Sequence, residues 1–263
     1  MQFRLALFSA IMTLVLAHTG HTEPASSAVR SELVPTGHLR VSIFVLPNVA
    51  VKDETGGLHG VAVDLSRELG KELGVPVMIT AANTPSIAVD QVRSGDADIT
   101  FLVNLPERAA VIDFTPSYVD FEVSYLVPAG SDIHTMADVD RAPHRIIAFE
   151  KGLIEQKLRR ELHAATVVGS SMASPKIALD KLVVGQGDAY SDVRHLLVLL
   201  QQDLPGSSIV PGSFMNVSLA IAHPKNRPAE AAYLAQFIND VKKSGFLQQA
   251  IDRAALHGAH VPN

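Results

Sequence analysis

One pattern occurs twice in this chain and limits the folds open to it. Thr84-Pro85-Ser86-Ile87-Ala88-Val89-Asp90-Gln91-Val92, then Gly95 and Asp98, aligns without a gap to Ser174-Pro175-Lys176-Ile177-Ala178-Leu179-Asp180-Lys181-Leu182, then Gly185 and Asp188. Each copy supplies a hydroxyl residue for a helix cap, proline for the first helical position and a glycine to stop the helix. Such punctuation is common when taken singly, so the argument rests on cap, proline, Ile-Ala, aspartate, glycine and aspartate all falling in register. The repeat predicts two lobes of similar α/β build, each running helix, tight turn, strand. Asp98 and Asp188, which end the two turns, are expected to be structural.

The first copy leads into Gly95 to Tyr118, GDADITFLVNLPERAAVIDFTPSY. Ile99 to Val103 reads as a strand, and Pro106 opens a helical turn holding Glu107 and Arg108, beyond the strand's carboxyl end. Open α/β sheets bind ligands there, and a guanidinium so placed can grip a carboxylate through two parallel hydrogen bonds. The competing reading pairs Arg108 with Glu107 or Asp113. The second copy brings Ser191, Asp192, Val193 and Arg194 to the matching strand end, so two mouths are expected to face each other across a cleft.

The remaining elements fit around this frame. Strands are predicted at Arg40 to Leu46, Val75 to Thr80, Asp120 to Val127, Arg145 to Phe149 and Met215 to Ala222. Helices are predicted at Val61 to Leu73, Gly152 to Leu162, Val193 to Gln201, Ala229 to Lys243 and Phe246 to Leu256, with Asp53 to Gly57 as a hairpin tip. Asp120 to Val127 and Met215 to Ala222 are read as the two crossings between lobes. The expected divisions are 37–126 for the first part of lobe one, 127–216 for lobe two and 217–263 for the completion of lobe one.

Composition narrows the function. The 263-residue chain is 47% apolar and 19% charged, and its net charge of -5 gives no basic footprint for nucleic acid. Met1 to Arg4 is a short basic start, followed by the apolar run Leu5 to Ala17, too short to span a bilayer comfortably. Val15-Leu16-Ala17 offers small residues for a signal peptidase, so residues 1–17 read as an export leader, with Ala25 or Ala28 as later cleavage options. Residues 18–36, rich in Ser, Thr, Ala and Pro, are expected to be flexible. The absence of cysteine removes both a lipid-anchor cysteine and disulfides. The mature protein is therefore expected to be free in the periplasm. No metal cluster or cofactor motif is present in the pattern, and His257 with His260 and His18 with His21 read as solvated.

Taken together, GHLRVSI, GGLHGVAVDLSRELGKELG, SGDAD, LPERAAVIDFTPSY, SYLVP, GDAYSD and KKSGFLQQAI resemble the family 3 solute-binding proteins of bacterial ABC importers, over about Gly37 to Gly258. The resemblance implies an α/β, two-lobe, type II periplasmic-binding-protein fold, each lobe a mixed sheet flanked by helices, joined by two hinge strands that close over a small solute. It implies a permease of the inner membrane as partner and a monomeric binder. Arg108 matches the family arginine that pairs with a ligand carboxylate. Phe101 and Val103 stand where the family has a small residue and a threonine lining the site. Gly152 matches a helix start, followed by Leu153 and Ile154, which offer only backbone N–H groups. The family's acidic partner for an ammonium aligns with Val193, and Asp192 lies one place earlier. Phe44 and Phe149 are candidate apolar walls, and Asn83, Asn104 and Ser191 candidate polar contacts.

These features lead to a small carboxylate-bearing solute, an amino acid or a related organic acid. Two other classes are open at this level. A cyclohexadienyl-dehydratase-like enzyme on the same fold would use Glu150 or Glu155 as general acid beside the arginine. A ligand-sensing module would signal through a separate partner.

Overall fold

The computed structural model describes residues 25–45, 50–52, 54–171 and 174–262. The leader and Asp53 at the hairpin tip lie outside them. The chain runs α1 (Ser27–Leu33), β1 (Leu39–Phe44), the hairpin β2 (Val51–Lys52) and β3 (Leu58–His59), α2 (Val61–Leu73), β4 (Val77–Ala82), α3 (Pro85–Ser94) and β5 (Ile99–Val103). A short helix, α4 (Pro106–Ala109), turns into the 15-residue strand β6 (Asp113–Val127). A second unit follows in the same order: β7 (Arg145–Phe149), α5 (Leu153–Glu161), β8 (Thr166–Ser170), α6 (Pro175–Val183) and β9 (Ala189–Val193). The chain ends with α7 (Arg194–Gln201), β10 (Ser208–Ile209), β11 (Met215–His223), α8 (Pro228–Lys243), α9 (Phe246–Arg253) and β12 (Ala259–His260).

The sheet order is β4-β1-β5-β11-β6-β9-β7-β8. Its two flanks, β4-β1-β5 and β8-β7-β9, are parallel and share one order: second strand, first strand, third strand. The repeat seen in the sequence is thus a repeat of structure. Thr84 Oγ1 accepts from Ile87 N–H at 3.2 Å and Ser174 Oγ from Lys176 N–H at 3.2 Å, while Gly95 and Gly185 leave their helices with φ of 82° and 69°. Asp98 accepts from the N–H of Arg40 at 2.7 Å and returns its own N–H to Arg40 O at 2.8 Å. Asp188 does the same with Arg145 at 2.8 and 2.8 Å. Each carboxylate also holds the guanidinium of that arginine. Both aspartates are structural, as expected: each pins the third strand of its unit to the start of the first.

Two apolar layers sandwich each flank. In the first, Val41, Ile43, Ile99 and Phe101 pack against α2, α8 and α9, while α3 covers the other face through Ala88 and Val92. In the second, Ile146, Ala148 and Ala189 pack with Leu158 of α5, and Ile147 and Tyr190 pack with α6 and α7. The long antiparallel strands β6 and β11 join the flanks, β11 pairing with β5 of the first and β6 with β9 of the second, and the divisions expected near 126 and 216 fall within them.

The structure departs from the sequence reading in several places. The segment expected to be flexible over 18–36 contains α1, capped by Ser26, whose Oγ accepts from Val29 N–H at 3.2 Å. Val29 and Leu33, four residues apart, are buried, and Arg30 donates to Leu73 O at 2.8 Å, so a polar composition conceals one docked apolar stripe. β6 begins at Asp113, seven residues before the predicted strand, because Pro116 lies opposite register shifts in β11 and Thr115 Oγ1 takes the N–H of Ile221 at 3.1 Å. β8 escapes a pattern reading because Thr166-Val167-Val168-Gly169-Ser170 is short and its strand character comes from pairing with β7.

At the base of the first flank, Glu230 near the start of α8 is fully buried. Its N–H donates to Glu32 Oε2 of α1 at 2.9 Å, its Oε2 accepts from Arg227 at 3.3 Å, and its Oε1 lies 3.9 Å from His223 Nδ1. Burial pushes this carboxyl up to about 8 despite Arg227, and burial also lowers the His223 imidazole. The folded state therefore keeps a proton that the unfolded chain releases. That contribution is complete below the ordinary value of 4.5 and is lost as pH rises through about 8. Thermal unfolding of Glu230→Gln across this window should show a flatter decline with pH than the parent; an identical slope would assign the decline to another group. Phe101→Ala should cost about 3–5 kcal/mol by denaturant unfolding, as expected for truncating a buried aromatic.

Candidate functional site

Strand polarity creates the site. Val103, the last residue of β5, pairs with Leu219, which pairs with Val119 of β6. Val193, the last residue of β9, pairs with Val123 of β6. β5 runs with β6 and β9 runs against it, so their carboxyl ends point at each other. Three residues of β6, four strand steps, separate them, roughly 13 Å at strand spacing. The two strand-end mouths thus face across the hinge strands, in the position where parallel α/β sheets take ligands.

The mouth of the first flank carries Arg108. Pro106 starts α4, and the Arg108 N–H closes the turn on Leu105 O at 2.9 Å. The half-buried guanidinium donates from Nη1 to Val103 O at 2.9 Å, which fixes its direction and leaves donors to spare. Burial lowers its pKa while Glu107 raises it. Among the described residues no carboxylate comes within ion-pair distance of Arg108, and Asp113 is paired with Lys225 at 3.0 Å instead. No salt bridge joins Arg108 to Glu107 or Asp113 here, and Glu107 acts on its charge only from beyond ion-pair distance. Asn104 and Asn83 are exposed just beyond the ends of β5 and β4, the strands on either side of β1.

The other expected lining residues divide. Phe101 is not a wall of the cleft: it is 3% exposed and meets the Tyr118 ring edge-on at 5.6 Å inside the first core. Val103 packs against that core too, and its carbonyl, not its side chain, serves the site by seating Arg108. Phe44 is half-buried against the α3 layer.

In the second flank, β9 pairs regularly with β6 from Leu126↔Tyr190 to Val123↔Val193, so the backbone does not turn at Asp192. Its side chain lies on the Tyr190 face and is buried. The Tyr190 hydroxyl donates to one carboxyl oxygen and the Val193 N–H to the other, at 2.7 Å in the latter case. The expected role of Asp192 as an open anion for a ligand ammonium is thus corrected: both oxygens are engaged within its own lobe. Ser191 points to the opposite face, beside Tyr125 and away from α6, and is 1% exposed. Gly152 spends its own N–H on Phe149 O at 3.2 Å, so the donors that helix geometry leaves open at this end are those of Leu153, Ile154 and Glu155.

Glu155 holds that helix start in place. Its Oε2 accepts the N–H of Lys151 at 2.6 Å, and its Oε1 is gripped by Arg159 at 2.9 and 2.8 Å. Lys151 sits at φ 60°, a conformation that needs such support. The signal was legible: a glutamate at the third position of a helix reaches back to the residues before it. Burial raises the Glu155 pKa, but Arg159 and the Lys151 N–H outweigh it and the net shift is downward. A carboxylate held ionised in this way is a poor general acid. Glu150 is exposed, its side chain lying across Gly169, where a Cβ would come within 2.3 Å of its Cγ. Among the described residues there is no group of three or more His, Cys, Asp or Glu able to hold a metal ion, and no helix is long and apolar enough to cross a membrane.

A two-flank sheet with facing strand ends, two shared long strands and an arginine at one mouth has the build of a type II periplasmic binding protein. The chain belongs to the bacterial extracellular solute-binding proteins, family 3, whose family model matches residues 42–255. Solved structures of the same fold include an ancestral amino acid-binding protein described as a precursor of cyclohexadienyl dehydratase, 22% identical over 85% of this chain and 97% of that one, with a TM-score of 0.68. A binding component of an ABC transporter from Wolinella succinogenes, complexed with lysine, is 21% identical over 83% and 95%, with a TM-score of 0.69. An amino acid ABC transporter substrate-binding protein from Streptococcus pneumoniae, bound to L-arginine, is 21% identical over 84% and 96%, with a TM-score of 0.66.

Burial pushes the Asp192 carboxyl up to about 6, against the bonds from Tyr190 and Val193 that hold it down. Tyr190→Phe removes one of those bonds, so the Asp192 carboxyl carbon should titrate above 6 in an NMR pH series of that variant. A value unchanged or lower would show that the hydroxyl does not hold the carboxylate.

Proposed function

We propose that this protein is the capture component of an ABC importer, binding a small carboxylate-bearing solute, an amino acid or a related organic acid, between the two strand-end mouths. Hinge closure over the solute then presents it to a permease of the inner membrane. The apolar run Leu5 to Ala17 supports export through a leader. The observation that carries the reading is Arg108: a half-buried guanidinium, aimed by one bond to Val103 O, with no carboxylate in reach among the described residues. A half-buried guanidinium with one backbone acceptor has donors to spare, and a ligand carboxylate is the group that matches them. The open N–H groups of Leu153 and Ile154 at the start of α5 offer a second anion contact across the cleft.

The solutes carried by the lysine- and L-arginine-bound proteins of this fold point to amino acids as the first compounds to test. With Asp192 engaged by Tyr190 and Val193, the ammonium of such a solute needs a different partner, for which Asn83 and Asn104 are the exposed candidates. A dehydratase activity finds no support in the geometry, since Glu155 is locked by Arg159 and Lys151.

Thermal-shift screening of amino acids and small organic acids should identify stabilising solutes, because ligand binding raises the melting temperature by mass action. Arg108→Ala should lose that stabilisation, with about a hundredfold or greater weakening by calorimetry for loss of a bidentate charged contact, while its ligand-free melting temperature stays near the parent's. Retained affinity in this variant would overturn the assignment.

A further inference from the structure

The three residues of β6 between the two mouths, Asp120, Phe121 and Glu122, form the span where one flank passes into the other, and the chain's end covers them. β12 pairs with this span: Ala259 is opposite Phe121 and His260 opposite Asp120, and the N–H of Glu122 donates to Gly258 O at 2.8 Å. β11 lies along the other edge of the same residues, through Asn216, Val217 and Ser218. The crossing therefore has a third strand, supplied by the segment that follows α9.

Arg194 fastens that strand from the other lobe. It is the first residue of α7, directly after β9, and its Nε donates to Glu122 Oε2 at 2.8 Å. Its Nη2 donates to Gly212 O, in the turn that leads back into β11. Its aliphatic stem lies on Gly258: a Cβ built there would come within 2.7–3.1 Å of the Arg194 Cβ, Cγ and Cδ. Gly258 also has φ 74°. Glycine thus serves both the backbone conformation and the approach of the arginine. Next in sequence, His195 is buried against the Phe121 ring, with centroids 4.9 Å apart. Lobe two, hinge strand and terminal strand meet in one triangle: Arg194 to Glu122, Glu122 to Gly258 and Gly258 to Arg194.

Resting on the hinge-closure reading proposed above, we propose that Arg194 is a latch on the hinge, holding the terminal strand against β6 and keeping the lobes at the separation seen here until bound solute offsets it. Any rotation of lobe two about residues 120–122 moves Arg194 relative to Gly258, because one travels with β9 and the other with α9. The latch touches neither Arg108 nor the start of α5, and it biases the lobe equilibrium with no solute present.

The absence of cysteine makes the test direct. Asp90 and Asp180, matching exposed positions in the two repeats, are replaced by cysteine and spin-labelled, and the interlobe distance distribution is measured by pulsed electron resonance without solute. The labelled parent should give a dominant long distance. Arg194→Ala should add a shorter one, raising the short-to-long ratio about fivefold, the scale set by losing a favourable, partly buried ion pair. Glu122→Gln, which keeps the terminal strand's backbone bond, should shift the ratio in the same direction by less. If Arg194→Ala fails to fold, Arg194→Lys, which retains the stem over Gly258 but loses the forked contact, takes its place with the same expectation. Distributions identical to the parent in a folded Arg194 variant and in Glu122→Gln would overturn the latch, as would a shift toward longer distances.

Discussion

The backbone ladder between β6 and β11 is what the rest of the molecule depends on. Because β11 pairs with β5 on one side of this ladder and β6 with β9 on the other, the polarity of the strands in both flanks is set relative to it. β5 must run with β6 and β9 must run against it, so two mouths meet across a short stretch of shared strand. Neither flank alone would form a cleft. The site is a consequence of strand direction before it is a consequence of any side chain.

Within that frame the two units serve as controls for each other. Where both flanks keep the same residues, as in Arg40 with Asp98 and Arg145 with Asp188, the shared requirement is to lock a third strand onto a first. Where they differ, the demands differ. Leu102 and Asp192 occupy matching strand positions, as do Thr100 and Tyr190, so the second flank buries an acid and a phenol where the first is apolar or weakly polar. Those groups satisfy each other, and that is why a residue which looks like a ligand contact in the sequence turns out to be internal.

Much of the architecture could be read from residue patterns because the signals are local: capped helices with Pro at the start and Gly at the end, and strands of alternating apolar residues. The repeat carried the reading from local elements to a two-lobe plan. What could not be read depends on pairing across long separations. β8 and β12 acquire strand character only from β7 and β6, and the first half of β6 contains a proline that is tolerated because a bulge and the Thr115 hydroxyl absorb it. The site was legible to the same degree. Arg108 follows from a strand end and a Pro-initiated turn, whereas the burial of Phe101 requires Tyr118, and the engagement of Asp192 requires knowing which face of β9 carries Tyr190.

The N-terminal helix carries a consequence for where the chain tolerates a cut. Ser26 caps α1, and Glu32 of the same helix supplies the acceptor that the start of α8 lacks in its own sequence, since Arg227 gives no side-chain cap there. Proteolytic trimming that stops before Ser26 leaves this arrangement whole. Trimming beyond it strips the cap from α1 and loosens Glu32, so a cut inside α1 would be felt at α8, some two hundred residues later in the sequence.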